Sequence, residues 1–178
     1  MELPMPNPAP RDASAPPAAT AAGSSPGQFI TCTLDAAEYG VDIMAVREIK
    51  GWSDTTAIPH APGWIRGVIN LRGIIVPILD LRARFGMAPT VPTAMHVVVI
   101  IQTGTRTAGL LVDAVSDIIA VAPEEIRPVP EVGTGVPEQL LYGLVPREHG
   151  MVALVTLDNL LNFSDETAPL PVAASLQS

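Results

Sequence analysis

The amino-acid sequence predicts an all-β fold of two small five-stranded barrels packed together, with short connecting helices and a short helix near the C-terminus. Short apolar segments with β-branched side chains alternate with Gly-containing or acidic turns, which is typical of strands in small barrels. The composition is 48% hydrophobic but only 4% aromatic, so the core must be built from Val, Ile, Leu and Ala. The third observation is an internal repeat, which predicts two similar units. Short sheets have exposed edges, and closure of each sheet into a barrel would remove them.

The repeat is visible when the two halves of the chain are compared by residue type and order. Matching segments, in chain order, are Val41-Asp42 with Val112-Asp113, Val46 to Ile49 with Val115 to Ile118, Ile58-Pro59 with Val129-Pro130, Gly67-Val68-Ile69 with Gly143-Leu144-Val145, and Gly73 to Asp80 with Gly150 to Asp158. The sequence separation between matching segments changes slowly along the chain, as expected when loops of a duplicated module change in length. We therefore expect one barrel over about residues 28–92 and the other over about residues 93–164.

Each half is expected to open with two strands, over residues 29–34 and 39–43 in the first half and over residues 96–101 and 108–112 in the second. Short helices are predicted over residues 62–66, 81–85 and 160–163. Asp80 and Asp158 each follow an apolar strand, and aspartate is a favoured residue at a helix N-cap.

The two ends of the chain differ in composition from its middle. Residues 1–27 contain seven prolines and seven alanines with three charged side chains, which cannot bury enough apolar area to offset chain entropy. Residues 165–178 again mix Pro, Ala and Ser. We expect a disordered N-terminal tail over residues 1–27, a folded domain over residues 28–164 and a loose C-terminal tail.

The charge pattern limits the classes of partner. Ten Lys plus Arg against eighteen Asp plus Glu give a formal charge of −8, and the basic residues are scattered. Nucleic-acid binding, which requires a basic patch, is therefore not expected. The apolar runs at residues 97–101 and 151–155 are far shorter than the roughly 20 residues of a membrane-spanning helix, so membrane insertion is not expected either. The start of the chain does not resemble a signal peptide, which predicts a cytoplasmic protein.

No catalytic or metal-binding signature is present in the sequence, so we expect no catalytic residues, no metal and no cofactor. His60, His96 and His149 lie in different local settings, and a shared metal site is not expected. Cys32, the single cysteine, lies in an alternating segment typical of a half-buried strand, where a free thiol behaves as a small hydrophobic group.

The most informative segment is residues 67–82, GVINLRGIIVPILDLR, in which a polar Asn-Leu-Arg-Gly turn separates two apolar strands. This segment resembles the signature of the CheW family. Residues 38–49, 109–113 and 157–161 fit the same family, and the resemblance runs through nearly all of residues 28–163.

The resemblance implies a pair of five-stranded SH3-like barrels around a shared core, an architecture also found in the regulatory domain of the histidine kinase CheA. It further implies a non-enzymatic scaffold for chemotaxis signalling. One surface would pair with the regulatory domain of a CheA-like kinase, and another would bind the cytoplasmic tip of a methyl-accepting chemoreceptor. Such a protein is cytoplasmic, is recruited to membrane-associated receptor arrays and needs no cofactor.

The resemblance also implies which positions contact partners. These are Val46, Glu48, Ile49, Gly67, Asn70, Arg72, Gly73, Val97, Val98 and Gly109. A purely structural interpretation exists for several of them, since glycines permit positive φ and strands need a barrel wall. For Arg72 we predict an ion pair with Glu48, because a guanidinium in a turn beside buried strands needs a carboxylate partner.

Two alternatives stay open at this point. One is a CheW-like adaptor for a kinase outside chemotaxis, such as one that controls surface motility. The other is a small enzyme that uses Glu48 and Asp117, which occupy corresponding places in the two halves, as paired carboxylates.

Overall fold

The computed structural model describes residues 26–130 and 137–162, which form ten strands with a few short helical turns. The first half contributes β1 (Gly27–Leu34), β2 (Ala37–Asp42), β3 (Val46–Gly51), β4 (Ile65–Leu71) and β5 (Ile74–Asp80). The second half contributes β6 (Val97–Thr103), β7 (Arg106–Val112), β8 (Ala114–Val121), β9 (Leu141–Arg147) and β10 (Gly150–Val155). The α-helices are α1 (Leu81–Arg84) and α2 (Leu157–Leu160), and 3₁₀ turns span Ile43–Ala45, Pro123–Glu125 and Glu138–Leu140. Almost all of the two predicted tails lies outside the described residues.

The strands form two five-stranded sheets, which confirms the predicted all-β architecture. The first barrel has the strand order β8-β1-β2-β10-β9, and the second has the order β3-β6-β7-β5-β4. Each barrel therefore contains strands from both halves of the chain. This corrects the expected barrel boundaries at about residues 28–92 and 93–164: the chain crosses from one barrel to the other after β2 and again after β7.

In each barrel, the segment that follows one end strand, β3 or β8, forms a bridge to the other end strand, β4 or β9. In the second barrel, Thr56 and Val68 exchange backbone hydrogen bonds of 2.9 and 2.8 Å. In the first barrel, Arg127 and Leu144 do the same at 2.7 and 2.8 Å. These bridges satisfy backbone groups that would otherwise remain at an open edge.

The largest apolar cluster lies between the barrels and draws buried side chains from both, such as Leu34 and Val41 of the first and Leu79 and Leu110 of the second. Each barrel also has a smaller core of its own. Cys32 belongs to the shared cluster and is fully buried, which raises its pKa to about 12. The thiol is therefore protonated at neutral pH, as expected of a buried structural cysteine.

The strand register shows which positions of the two halves correspond. Gly40 pairs with Thr31 and Leu154, and Gly109 pairs with Ile100 and Ile78 in the same way. Counting four residues onward from each glycine, Met44 corresponds to Asp113. The match of Asp42 with Asp113 that the sequence suggested is therefore wrong. In the aligned strands, the pair Val41-Asp42 lies two residues before the position that Val112-Asp113 occupies.

The helix predictions have mixed outcomes. Asp80 is the N-cap of α1, and its side chain accepts hydrogen bonds from the backbone N–H groups of Arg82 and Ala83. Asp158 is not an N-cap: α2 begins at Leu157 after Thr156, so Asp158 lies in the first turn. No helix forms over residues 62–66, because the chain makes one turn there and enters β4 at Ile65.

A cluster of charged residues fixes one junction between the barrels, which we call the closed junction. It consists of Asp35, Arg82, His96 and Asp113. The Arg82 guanidinium donates to both carboxylate oxygens of Asp113, at 3.1 and 2.6 Å. Asp113 also accepts from the backbone N–H of Asp35 at 2.7 Å, and its own N–H donates to Thr33 in the first barrel at 3.0 Å. The Asp113 carboxylate thus joins α1 of one barrel to the β1–β2 turn of the other.

This junction predicts an acid-sensitive contribution to stability. The hydrogen bond from Arg82 lowers the pKa of Asp113 below its ordinary value, although burial partly opposes the shift. A lowered pKa in the folded state means that the contribution is complete above the unfolded value of about 3.9. It is lost as the pH falls through the lower folded value.

We expect the difference in unfolding free energy between wild type and Asp113→Asn to be largest near about pH 6 and to shrink towards about pH 2. Chemical denaturation at a series of pH values measures it. A difference that stays constant with pH would contradict the ionic role of Asp113.

Candidate protein-binding site

The hairpin turn between β4 and β5 holds its residues in a conformation that most side chains avoid. Leu71 pairs with Ile74, which leaves a two-residue turn with φ of +53° at Arg72 and +90° at Gly73. Two successive positive φ values define the type I′ turn that suits the twist of a hairpin. Asn70 stabilises it, since its side-chain oxygen accepts from the Gly73 N–H at 2.7 Å.

Arg72 binds Glu48, as the sequence predicts. One guanidinium nitrogen of Arg72 donates to a Glu48 oxygen at 2.7 Å. Because β3 and β4 are the two end strands of the sheet, this ion pair spans the seam where the second barrel closes. The Arg72 side chain is 71% exposed and that of Glu48 is 28% exposed, so the pair lies at the surface.

Exposed apolar residues are next to both partners of this ion pair in the sequence. Ile49 follows Glu48 and is 45% exposed, and Ile74 and Ile75, directly after the turn, are 59% and 61% exposed. A charged pair beside exposed aliphatic side chains has the composition of a protein-binding surface. We call Glu48, Ile49, Arg72, Ile74 and Ile75 the seam surface.

Gly67 lies on β4 and packs closely against the backbone of Thr56. It has a φ of +138°, and a β-carbon there would collide with the backbone carbonyl oxygen of Thr56. Thr56 forms the bridge to Val68 that closes the barrel. Gly67 is buried, and its lack of a β-carbon allows Thr56 to approach β4. Its expected contact with a partner stays a prediction.

The remaining predicted contact residues divide by burial. Val46 and Val97 are half-buried on β3 and β6. Val98 and Gly109 are buried in the core of the second barrel, where a β-carbon on Gly109 would lie 2.8 Å from Val98 Cγ1. Their burial favours a role in the packing of the barrel wall, and their expected contact with a partner stays a prediction.

A second feature was not predicted from the sequence. A groove of about 450 Å³ opens between the barrels, and we call it the open junction. Among its lining residues are Asp42, Met44, Tyr142, Leu157 and Asp158. Burial and the nearby Asp42 raise the pKa of Tyr142 to about 12, so its hydroxyl is neutral. The signal in the sequence was weak, because the lining comes from four separate segments.

The carboxylates considered for an enzyme are not brought together. Glu48 lies opposite Ile100 in the second barrel, and Asp117 lies opposite Thr31 in the first. Within residues 26–130 and 137–162, no group of three or more His, Cys, Asp or Glu residues is placed to hold a metal ion. None of the helices in that part of the chain is long and apolar enough to cross a membrane.

Comparison with known proteins identifies the family. The CheW-like domain model matches residues 28–164. The chain is 43% identical over 141 residues to the probable chemotaxis protein CheW of Rhizobium etli, covering 79% of this chain and 91% of that protein. It is 41% identical over 148 residues to the chemotaxis protein CheW of Klebsiella aerogenes, covering 83% and 89%.

The fold agrees with a solved structure as well. The crystal structure of the scaffolding protein TtCheW from Thermoanaerobacter tengcongensis superposes with a TM-score of 0.71 at 32% identity, covering 77% of this chain and 93% of that one. Sequence and fold therefore lead to one conclusion: the chain belongs to the CheW-like domain family of chemotaxis scaffolding proteins.

Proposed function

We propose that this protein is a non-enzymatic scaffold that couples methyl-accepting chemoreceptors to a CheA-like histidine kinase, and that the seam surface takes part in these contacts. It works without a cofactor, in the cytoplasm, at receptor arrays on the membrane. The observation that carries the proposal is the exposed Arg72–Glu48 ion pair at 2.7 Å, with exposed isoleucines near both residues in the sequence.

The conformation of Arg72 supports a role in binding. A non-glycine residue at φ of +53° is strained, and residues in such conformations cluster at functional sites. Glycine would fit this turn position without strain. The arginine side chain must therefore contribute something that a turn alone does not need, and its exposed guanidinium has donors left for a partner.

Replacing Arg72 with alanine is expected to reduce kinase stimulation strongly while the fold is retained. The exposed ion pair is worth no more than about 1 kcal/mol, so the melting temperature should fall by only a few degrees. Stimulation is measured in a reconstituted mixture of scaffold, receptor and CheA-like kinase. Wild type, Arg72→Ala, Glu48→Ala and the double variant are compared, and the losses should be less than additive if the two side chains act as a unit.

The control for this experiment is Arg106→Ala. Arg106 is also on the second barrel, but its guanidinium donates to the backbone oxygen of Leu161 at 2.8 Å, away from the seam surface. Undiminished stimulation by Arg72→Ala would contradict the proposal, and so would an equal loss in Arg106→Ala.

A kinase outside chemotaxis is the second candidate partner. The chain is 34% identical over 154 residues to protein FrzA of Myxococcus xanthus, which covers 84% of this chain and 91% of that protein. The same seam surface would serve such a kinase. Measuring binding to both kinds of kinase regulatory domain distinguishes the two roles.

A further inference from the structure

We propose that the open junction is a docking groove for a partner segment that carries an arginine beside an apolar side chain, with the guanidinium held by Asp158 and Asp42. The inference rests on the proposed scaffold function only in assuming that the chain binds other proteins. It specifies what chemistry the partner must bring to this groove.

The closed junction shows how the fold fills such a site. There, Arg82 lies two residues after the N-cap of α1 and binds Asp113 through two hydrogen bonds. Asp158 lies two residues after the N-cap of α2, and Met44 corresponds to Asp113 in the strand register. The open junction thus has the same backbone frame with a different pair of side chains.

Compared with the closed junction, the open junction has no arginine at the position of Arg82. A carboxylate, Asp158, occupies the place of the arginine, and Met44, 80% exposed, occupies the place of the carboxylate. Asp42 adds a second carboxylate to the lining, which has no basic residue among those described. Arg106 lines an adjoining pocket that shares Asp158, but its guanidinium donates to the backbone oxygen of Leu161. The groove therefore combines two carboxylates with two exposed apolar side chains, Met44 and Tyr142, and Asp42 lies next to both, since it accepts from the Met44 N–H at 2.8 Å and acts on the Tyr142 hydroxyl.

An arginine beside an apolar residue complements this arrangement. The guanidinium can donate to carboxylates, and its planar face and aliphatic stem can pack on Tyr142. Met44 is a flexible side chain that adapts to an apolar neighbour. The acidic protein, with a formal charge of −8, also favours a basic segment during encounter.

The first test is an NMR titration of the full chain with the capped peptide Leu-Arg-Ala-Leu, in which Leu-Arg-Ala copies Leu81-Arg82-Ala83 of α1. Its control is the same peptide with citrulline, which keeps the shape of arginine but not its charge. We expect the arginine peptide to shift the amide signals of Asp42, Met44 and Asp158 and to bind at least about threefold more tightly than the citrulline peptide. Asp158→Asn should remove that preference. Equal binding of the two peptides, or shifts confined to other surfaces, would overturn the inference.

The second test moves the closed-junction pair into the groove. In the double variant Met44→Asp with Asp158→Arg, an internal ion pair should occupy the site. We expect the double variant to lose arginine-peptide binding and to melt higher than the two single variants predict by addition. If the double variant bound the arginine peptide as tightly as the wild-type protein does, the proposal would be overturned.

These outcomes are separable from those for the proposed function. Peptide binding is read in the isolated chain, whereas the Arg72 series is read as kinase stimulation. A negative peptide result with intact dependence on Arg72 removes the groove proposal alone. The reverse pattern removes the seam-surface role and leaves the groove.

Discussion

Replacing Asp80 with alanine is expected to lower the free energy of unfolding by about 3 kcal/mol, and the melting temperature by about 10 °C. The Asp80 side chain is fully buried. It accepts from the N–H and the hydroxyl of Thr90, both at 2.7 Å, and from the N–H of Arg82 at 3.1 Å. Alanine would leave these donors without an acceptor and would release the segment around Thr90 from the end of β5. Chemical denaturation measures the loss.

The control is Asp158→Ala. Asp158 also follows an apolar strand at the start of a short helix, but it is exposed and is not an N-cap. We expect the free energy of unfolding to change by less than about 0.5 kcal/mol in this variant. Equal losses in the two variants would mean that the burial of Asp80 is not what matters.

The second large effect is expected for Gly67→Ala, which should destabilise the protein by about 3 kcal/mol or more. The added methyl group would collide with the Thr56 carbonyl and lie 2.9 Å from Thr55 Oγ1. A φ of +138° is also unfavourable for any residue with a β-carbon. The bridge that closes the second barrel would have to shift. Thermal unfolding by circular dichroism gives the change in melting temperature.

Gly73→Ala is the matched variant, because Gly73 also has a positive φ but has open space where a β-carbon would be added. Only the backbone conformation opposes that change, at about 1 kcal/mol. Similar melting temperatures for the two variants would contradict the steric role assigned to Gly67.

The strands were the most predictable part of the fold. Alternation in β1 and the glycine-containing turn between β6 and β7 are local signals, and the structure places strands at both sites. The partition of strands between barrels could not be predicted, since the hairpin of β1 and β2 is the same whether its next neighbour is β5 or β10. That choice depends on how the shared core packs, which no short segment determines.

The ion pair of the seam surface could be predicted because Arg72 lies in a turn between two apolar strands, where a guanidinium needs a carboxylate partner. Burial was harder to foresee. Val98 resembles its neighbours on β6 in sequence, but its side chain faces the interior of the second barrel. The open junction escaped prediction because it depends on which residue of the first half corresponds to Asp113. The comparison of residue types gave Asp42, two positions before Met44.

The exchange of strands between the two halves also governs when the protein can fold during synthesis. The first barrel needs β1 and β2 from the start of the domain and β9 and β10 from its end. It cannot close until β10 has left the ribosome, because β10 is the strand that pairs with β2. Nascent β1 and β2 must wait for β8, the other neighbour of β1, until Val121 is made, and for β10, the other neighbour of β2, until Val155 is made. The second barrel has all of its strands once Val112 is made, so the first barrel is the later one to close. A chain truncated at the middle of the domain would yield neither barrel.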